Sequence, residues 1–127
     1  MCGKQKFFLC EHCGNMVGLI SDPGAPLVCC GDKMKELVPN TAEAAVEKHI
    51  PAVTVDGDCV SVQVGSTLHP MEDAHHISFV YVDTECGGQR KCLKTGEDAK
   101  VNFVLTDDKP VAVLAYCNLH GLWKVEL

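Results

Sequence analysis

The chain has 127 residues, 46% hydrophobic and 22% charged, the balance of one ordinary soluble domain with room for a small appendage. Its formal charge of −6 excludes the basic surface that nucleic-acid phosphates require, and no apolar run approaches the roughly 20 residues of a membrane helix. Nine cysteines, an odd count at close spacings, with no secretory signal pattern at the N-terminus, argue for metal binding in a reducing cytoplasm rather than a disulfide framework.

Residues 1–37 form the first expected domain. Cys10-x2-Cys13 is followed after 15 residues by Cys29-Cys30, and Ser21-Asp-Pro-Gly-Ala-Pro26 marks a loop between the pairs. Too few large apolar residues remain for a core, so a segment of this size is expected to fold around a metal. Four thiolates hold zinc or a single iron tetrahedrally and leave no position open. Such a site holds structure or passes an electron. The adjacent second pair departs from the usual spacing, and adjacent side chains diverge in an extended strand, so a distorted tetrahedron is expected. His12, between the first two cysteines, is expected to be exposed and not a ligand.

Residues 38–127 form the second expected domain. Asn40 to Lys48 is the only good helical stretch, with Asn40 as N-cap, Glu43 at the reciprocal position and Pro51 just beyond its end. It delivers His49. From Ala52 onward the pattern is β. Val53 and Val55, then Val60, Val62 and Val64, alternate around Asp56-Gly-Asp58, a hairpin signal. Further strands are predicted over 77–82, 100–105, 111–116 and 122–126, punctuated by turns at Gly87-Gly88, Gly96-Glu-Asp98 and Asp107-Asp-Lys-Pro110. The fold class is mainly β, an antiparallel sandwich of immunoglobulin-like type. Cys2, Cys59, Cys86 and Cys92 fit neither metal cluster and read as small buried hydrophobes or free thiols. A Cys86–Cys92 bridge across Gly87-Gly88 is permitted by the sequence but not required.

One thiolate and four imidazoles remain: Cys117-Asn-Leu-His120, Glu47-Lys48-His49 and His69-Pro-Met-Glu-Asp-Ala-His75. Singly, each has a bland explanation as a surface or hydrogen-bonded histidine or a buried cysteine. Their grouping, Cys-x2-His in a β context with His-x5-His before a strand, favours one shared metal. Pro70 biases His69 away from helical geometry, which suits a rigid loop ligand. His76 adjoins His75, and neighbours on a strand point to opposite faces, so at most one of the two is a ligand. Five ligands exceed the four of a closed zinc site and leave one octahedral position open, which on a redox metal means chemistry.

Taken together, Cys10-x2-Cys13…Cys29-Cys30, Glu47-Lys48-His49, His69-Pro-Met-x3-His75 and Cys117-Asn-x-His120 resemble desulfoferrodoxin, the two-iron superoxide reductase of anaerobic and microaerophilic microbes. The resemblance covers essentially the whole chain. It implies an N-terminal desulforedoxin-like domain with Fe(Cys)4 and an immunoglobulin-like domain with a square-pyramidal Fe(His)4(Cys) centre, in a homodimer. His49, His69, His75 and His120 are then equatorial ligands and Cys117 is axial. Superoxide is the substrate, reduced by one electron to hydrogen peroxide, and an external donor such as rubredoxin restores the ferrous state. The family's lysine and glutamate fall on Lys48 and Glu47. The resemblance gives Lys48 the task of attracting superoxide and Glu47 that of sixth ligand to oxidised iron. At about 6 Å and an effective dielectric near 20, one such charge attracts an anion by roughly 3 kcal/mol. Without the resemblance, the pair reads as solvated charges at a helix end.

Two rivals fit less of the pattern. A blue-copper electron carrier also uses a β-sandwich with Cys and His ligands, but no Met follows His120 closely and two histidines are surplus. A zinc-ribbon adaptor accounts for the first cluster and leaves the second without a role.

Overall fold

The computed structural model describes residues 3–41 and 49–127, and the chain divides into two units, Gly3–Val38 and Pro39–Leu127. The first unit is built from short strands: β1 (Lys6–Leu9), β2 (Met16–Leu19), β3 (Val28–Cys29), β4 (Asp32–Lys33) and β5 (Lys35–Glu36). β1 lies between β2 and β5 in one sheet, and β3 pairs with β4 in a separate hairpin. The expectation that this segment lacks a core is met. Among its described residues, only Phe7 and Cys10 are buried hydrophobics.

In the second unit the alternation of valines decides the architecture. Strand β6 (Pro51–Asp56) turns through Gly57 into β7 (Cys59–Val64), where Val60, Val62 and Val64 are buried and the residues between them are half-buried. The remaining strands are β8 (Ile77–Thr84), β9 (Gly87–Cys92), β10 (Lys100–Val104), β11 (Pro110–Cys117) and β12 (Gly121–Glu126). They form two antiparallel sheets, ordered β10-β7-β6 and β12-β11-β8-β9. Both feed one core. Val60, Val62, Val64 and Phe103 come from the first sheet, and Ile77, Val80, Val82, Val113, Ala115 and Cys117 from the second. Cys117 therefore belongs to the floor of a packed sandwich, and its position is fixed by the core.

Side chains join the two sheets at one side. Gln89 Nε2 and Lys91 Nζ of β9 donate to the Val104 and Asn102 carbonyls of β10 at 3.0 and 2.5 Å. Carbonyls that would otherwise be open on an edge strand are satisfied this way.

Three expectations need correcting or bounding. Gly87-Gly88 is not a turn but the start of β9, whose turn is formed by Glu85 and Cys86. Gly88 sits within the strand because Tyr81 lies across it, and a Cβ there would collide with the Tyr81 phenol and the Val82 carbonyl. Cys86 precedes β9 and Cys92 ends it, roughly 20 Å apart along an extended chain, well beyond the separation a disulfide spans. The predicted helix over 40–48, with Glu43, lies almost wholly outside the described residues. Asn40 itself is described. It forms a parallel bridge with Trp123, and its side-chain amide donates to the Leu122 carbonyl at 3.4 Å. No helix among the described residues is long and apolar enough to cross a membrane.

Candidate metal centres

The first centre grows from two turns. After β1 the chain doubles back over Cys10–Asn15. Cys10 donates its amide to the Asn15 carbonyl at 2.8 Å, and Gly14, at φ +83°, donates to the Cys10 carbonyl at 2.9 Å. The second turn is the two-residue link between β3 and β4, where Cys30 and Gly31 have φ of +53° and +81°. Two consecutive left-handed residues make a type I′ hairpin turn. Cys30 thus departs from the extended strand expected of it, and this is how adjacent cysteines face one point. Cys10, Cys13, Cys29 and Cys30 place their sulfurs within 4.8 Å of one another. Cys13 and Cys29 stand 3.6 Å apart, and Cys29 and Cys30 4.0 Å. A regular tetrahedron with metal–sulfur bonds of 2.3 Å has edges of about 3.8 Å, so the cluster fits a metal.

The charges point the same way. Backbone N–H donation from Cys13, then from His12, lowers the Cys10 thiol to about 6. The crowded sulfurs of Cys13 and Cys10 push Cys30 up to about 12. Four thiolates cannot share this space without a cation. Asn15, absent from the sequence expectations, donates its backbone N–H toward Cys13 Sγ at 3.4 Å and its side-chain amide toward Cys29 Sγ at 3.6 Å. Its place in the turn just after Cys-x2-Cys was the available signal. His12 is exposed and pairs with Asp32 Oδ2 at 2.5 Å, away from the cluster.

The second centre collects one residue from each of five places at one end of the sandwich. His49 precedes β6, and His69 lies in the loop after β7, its amide donating to the Val64 carbonyl at 3.1 Å. His75 closes a tight turn in which Glu72 and His75 exchange backbone hydrogen bonds of 2.9 and 3.0 Å. Cys117 ends β11, and His120 lies in the turn to β12. Donor atoms of His49, His69, His75 and Cys117 all fall within 4.8 Å of one another.

His120 completes the set through its ring. In order His49, His69, His75, His120, neighbouring centroids lie 4.8, 4.6, 5.0 and 4.9 Å apart, each pair edge to face. The His49–His75 diagonal is 6.4 Å. Four near-equal sides and a longer diagonal describe a square belt. Cys117, fully buried, lies 3.8 Å from His120 Nδ1 and accepts the His120 backbone N–H at 3.4 Å.

The ring nitrogens show which atoms face inward. His69 is 3% exposed, and its Nδ1–H donates to the Pro70 carbonyl at 2.8 Å. Its Nε2 is thereby left as a lone pair, buried and without a hydrogen-bond partner among the described residues. An orphaned acceptor in such a place costs free energy unless a cation occupies it. His49 Nε2 and His120 Nδ1 approach to 3.1 Å. These residues fit a metal held by Nε2 of His69 and His49, Nδ1 of His120, an imidazole nitrogen of His75 and the thiolate of Cys117. His76 stands outside the cluster, its Nδ1 3.1 Å from the Glu72 carbonyl. Glu47 and Lys48 lie outside the described residues. Sequence reasoning also missed Trp123, which stacks on His49 at 4.6 Å and donates its indole N–H to the His120 carbonyl at 3.1 Å. Being the sole tryptophan and three residues after His120, it was open to notice.

Burial, and then the neighbouring imidazoles, lower His69 to about 4. The unfolded chain protonates this residue near 6.5 and the folded chain does not, so stability falls as pH drops through that interval. Metal-free protein is expected to lose about 3 kcal/mol between pH 6.5 and pH 4 from His69. Urea unfolding at several pH values, compared with His69→Gln, checks this. The slope in that window flattens in the variant.

Two family models account for nearly the whole chain: "Desulfoferrodoxin, N-terminal domain" over residues 2–37 and "Desulfoferrodoxin" over residues 41–126. The desulfoferrodoxin of Nitratidesulfovibrio vulgaris is 39% identical over 126 residues, covering 99% of each chain. A desulfoferrodoxin homolog of Archaeoglobus fulgidus is 40% identical over 120 residues, 94% of this chain and 95% of that one. Among solved structures, the superoxide reductase of Treponema pallidum superimposes with a TM-score of 0.85 at 34% identity, covering 97% of this chain and 98% of that one.

Proposed function

The chain belongs to the desulfoferrodoxin family, and from that premise we propose that it is a superoxide reductase, forming hydrogen peroxide from superoxide, one electron and two protons. The observation that carries this reading is the square belt of four imidazoles beside one buried thiolate. Five donors on one metal leave a sixth position for a small anion, whereas the four-cysteine cluster offers none.

Iron is the metal proposed for both centres, with zinc an alternative at the four-cysteine cluster. When bound at the second centre, ferrous iron supplies the electron and an open coordination position. The protein's own residues do the rest. Burial keeps His69 neutral and able to donate its lone pair at any pH above about 4. The β11 end holds Cys117 dry, and the His120 N–H donates to its sulfur and fixes its direction. Trp123 fixes the plane of His49 by stacking and the path of His120 by its hydrogen bond. Lys48 draws superoxide to a chain whose overall charge repels it and orients a proton-donating water. Glu47 would be the residue to fill the sixth position of oxidised iron, as the family resemblance implies.

The proposal extends to an immunoglobulin-like sandwich, a cytoplasmic homodimer and re-reduction by an external carrier such as rubredoxin. The three-plus-four division of the second unit's strands supports the first of these.

Lys48 gives a test of substrate capture. Lys48→Ala is expected to react with superoxide about tenfold more slowly and to lose most of the parent's dependence on ionic strength, as removal of a steering charge does. Pulse radiolysis at several salt concentrations measures both. An unchanged rate with the parental salt slope would remove Lys48 from the mechanism.

A further inference from the structure

We infer that Asn118 is a positioning residue that clamps the His75 loop to the Cys117–His120 turn and so holds one imidazole of the belt in place. The inference rests on the metal-holding part of the reading above and not on superoxide as substrate.

Asn118 lies between two donors of the cluster but gives no ligand itself. Its side chain spans the backbone on both sides of His75. Oδ1 accepts the His76 amide at 2.8 Å, and Nδ2 donates to the Ala74 carbonyl at 3.1 Å. Its own amide donates to the His76 carbonyl at 3.1 Å. The two side-chain bonds therefore seize the peptide units that flank His75, and the backbone bond holds the next one along.

The need for such a clamp is visible in the strand pairing. β8 and β11 run in register from Asp83–Ala112 to Phe79–Tyr116, then slip, so that Cys117 faces Ile77 and Ser78 has no register partner in β11. The ladder breaks where the ligands begin. His75 lies beyond that break, in a turn whose Ala74 is exposed and in which Glu72 and His75 exchange two backbone bonds. His75 is half-buried, whereas His69 and Cys117 are buried. Asn118 replaces the missing ladder bonds with its own amide, which can accept and donate in opposite directions as a peptide group does. An aspartate there keeps the acceptor for His76 but meets the Ala74 carbonyl with another acceptor. A leucine keeps the volume and loses both side-chain bonds.

Residues that orient metal ligands typically change metal affinity by roughly 10–100-fold when replaced. The test uses full-length protein loaded with Co2+, whose d–d and thiolate charge-transfer bands report the coordination of the His4Cys centre. Asn118→Leu is expected to release Co2+ to a chelator from this centre at least tenfold faster than the parent, with altered d–d bands. The bands of the four-cysteine centre should stay unchanged. Asn118→Asp, keeping one of the two side-chain bonds, is expected to fall between parent and Leu. Should the Leu variant not fold, the Asp variant carries the test alone. Parental release rates and bands in the folded variants would overturn the clamp. A parent that binds no Co2+ at the histidines would instead overturn the metal-centre reading on which it rests.

Discussion

A Cys117→Ser protein should fold, take up metal at the histidine belt, and yet lose at least about 100-fold in its reaction with superoxide. Outer-shell changes at metal sites already cost roughly 10–100-fold, and Cys117 is a direct donor in this account. Its side chain has no exposed surface, and it accepts the His120 N–H at 3.4 Å. Serine offers an oxygen of similar size whose proton is not lost near neutral pH, so the metal would lose an anionic, electron-donating neighbour. A coordinating thiolate would push electron density onto iron, and that push is what this variant would remove. Burying an imperfectly paired hydroxyl costs about 1–3 kcal/mol, which a well-packed sandwich tolerates. The check is a pulse of superoxide on metal-quantified protein, together with the near-ultraviolet and visible thiolate band. Parental kinetics with a full complement of metal would remove Cys117 from the mechanism.

Stripping metal from the four-cysteine centre is expected to unfold residues 3–38 as a unit. Structural zinc sites of this kind contribute about 10–16 kcal/mol of apparent binding free energy, comparable to the whole stability of a small domain. Here the covalent framework offers little else. Phe7 and Cys10 are the only buried hydrophobics among this unit's described residues, and Ile20, Val28 and Val38 are exposed. The crowded sulfurs that push Cys30 to about 12 must also lose their protons when metal binds, so acid should release it. Hydrogen exchange on metal-free protein reads the outcome. Amides of β1 and β2 should exchange at nearly unprotected rates, whereas those of β7, β8 and β11, around Val60, Val80 and Val113, stay protected. Strong protection of β1 and β2 without metal would contradict this account.

Some of this was written openly in the chain. Alternating Val60, Val62 and Val64 specify the buried face of β7, because a period of two admits only one such face, and Asp56-Gly-Asp58 marks its turn from β6, where Val55 stays exposed. The spacing of the cysteines and histidines likewise marks two clusters, since few other causes gather such side chains. Other features had no local signature. β9 reads as a glycine turn, because its exposed Gln89, Arg90 and Lys91 carry no apolar alternation, and only the contact with Tyr81 explains Gly88. The left-handed Cys30 defies side-chain preference and is imposed by the hairpin and the cluster together. Trp123 and Asn118 act on ligands distant in sequence, His49 and His75, through contacts that exist only once β11 and β12 have paired. Long-range register, which no short window of sequence contains, made the difference.

The central claim is that the histidine–cysteine centre reduces superoxide by one electron, and product stoichiometry tests it most directly. Iron-loaded protein, reduced anaerobically and free of catalase, would receive a known pulse of superoxide while peroxide and oxygen are both measured. One peroxide is expected for each superoxide consumed, with no oxygen evolved. Oxygen appearing in step with peroxide would mean dismutation, and no acceleration at all would leave the centre without this chemistry.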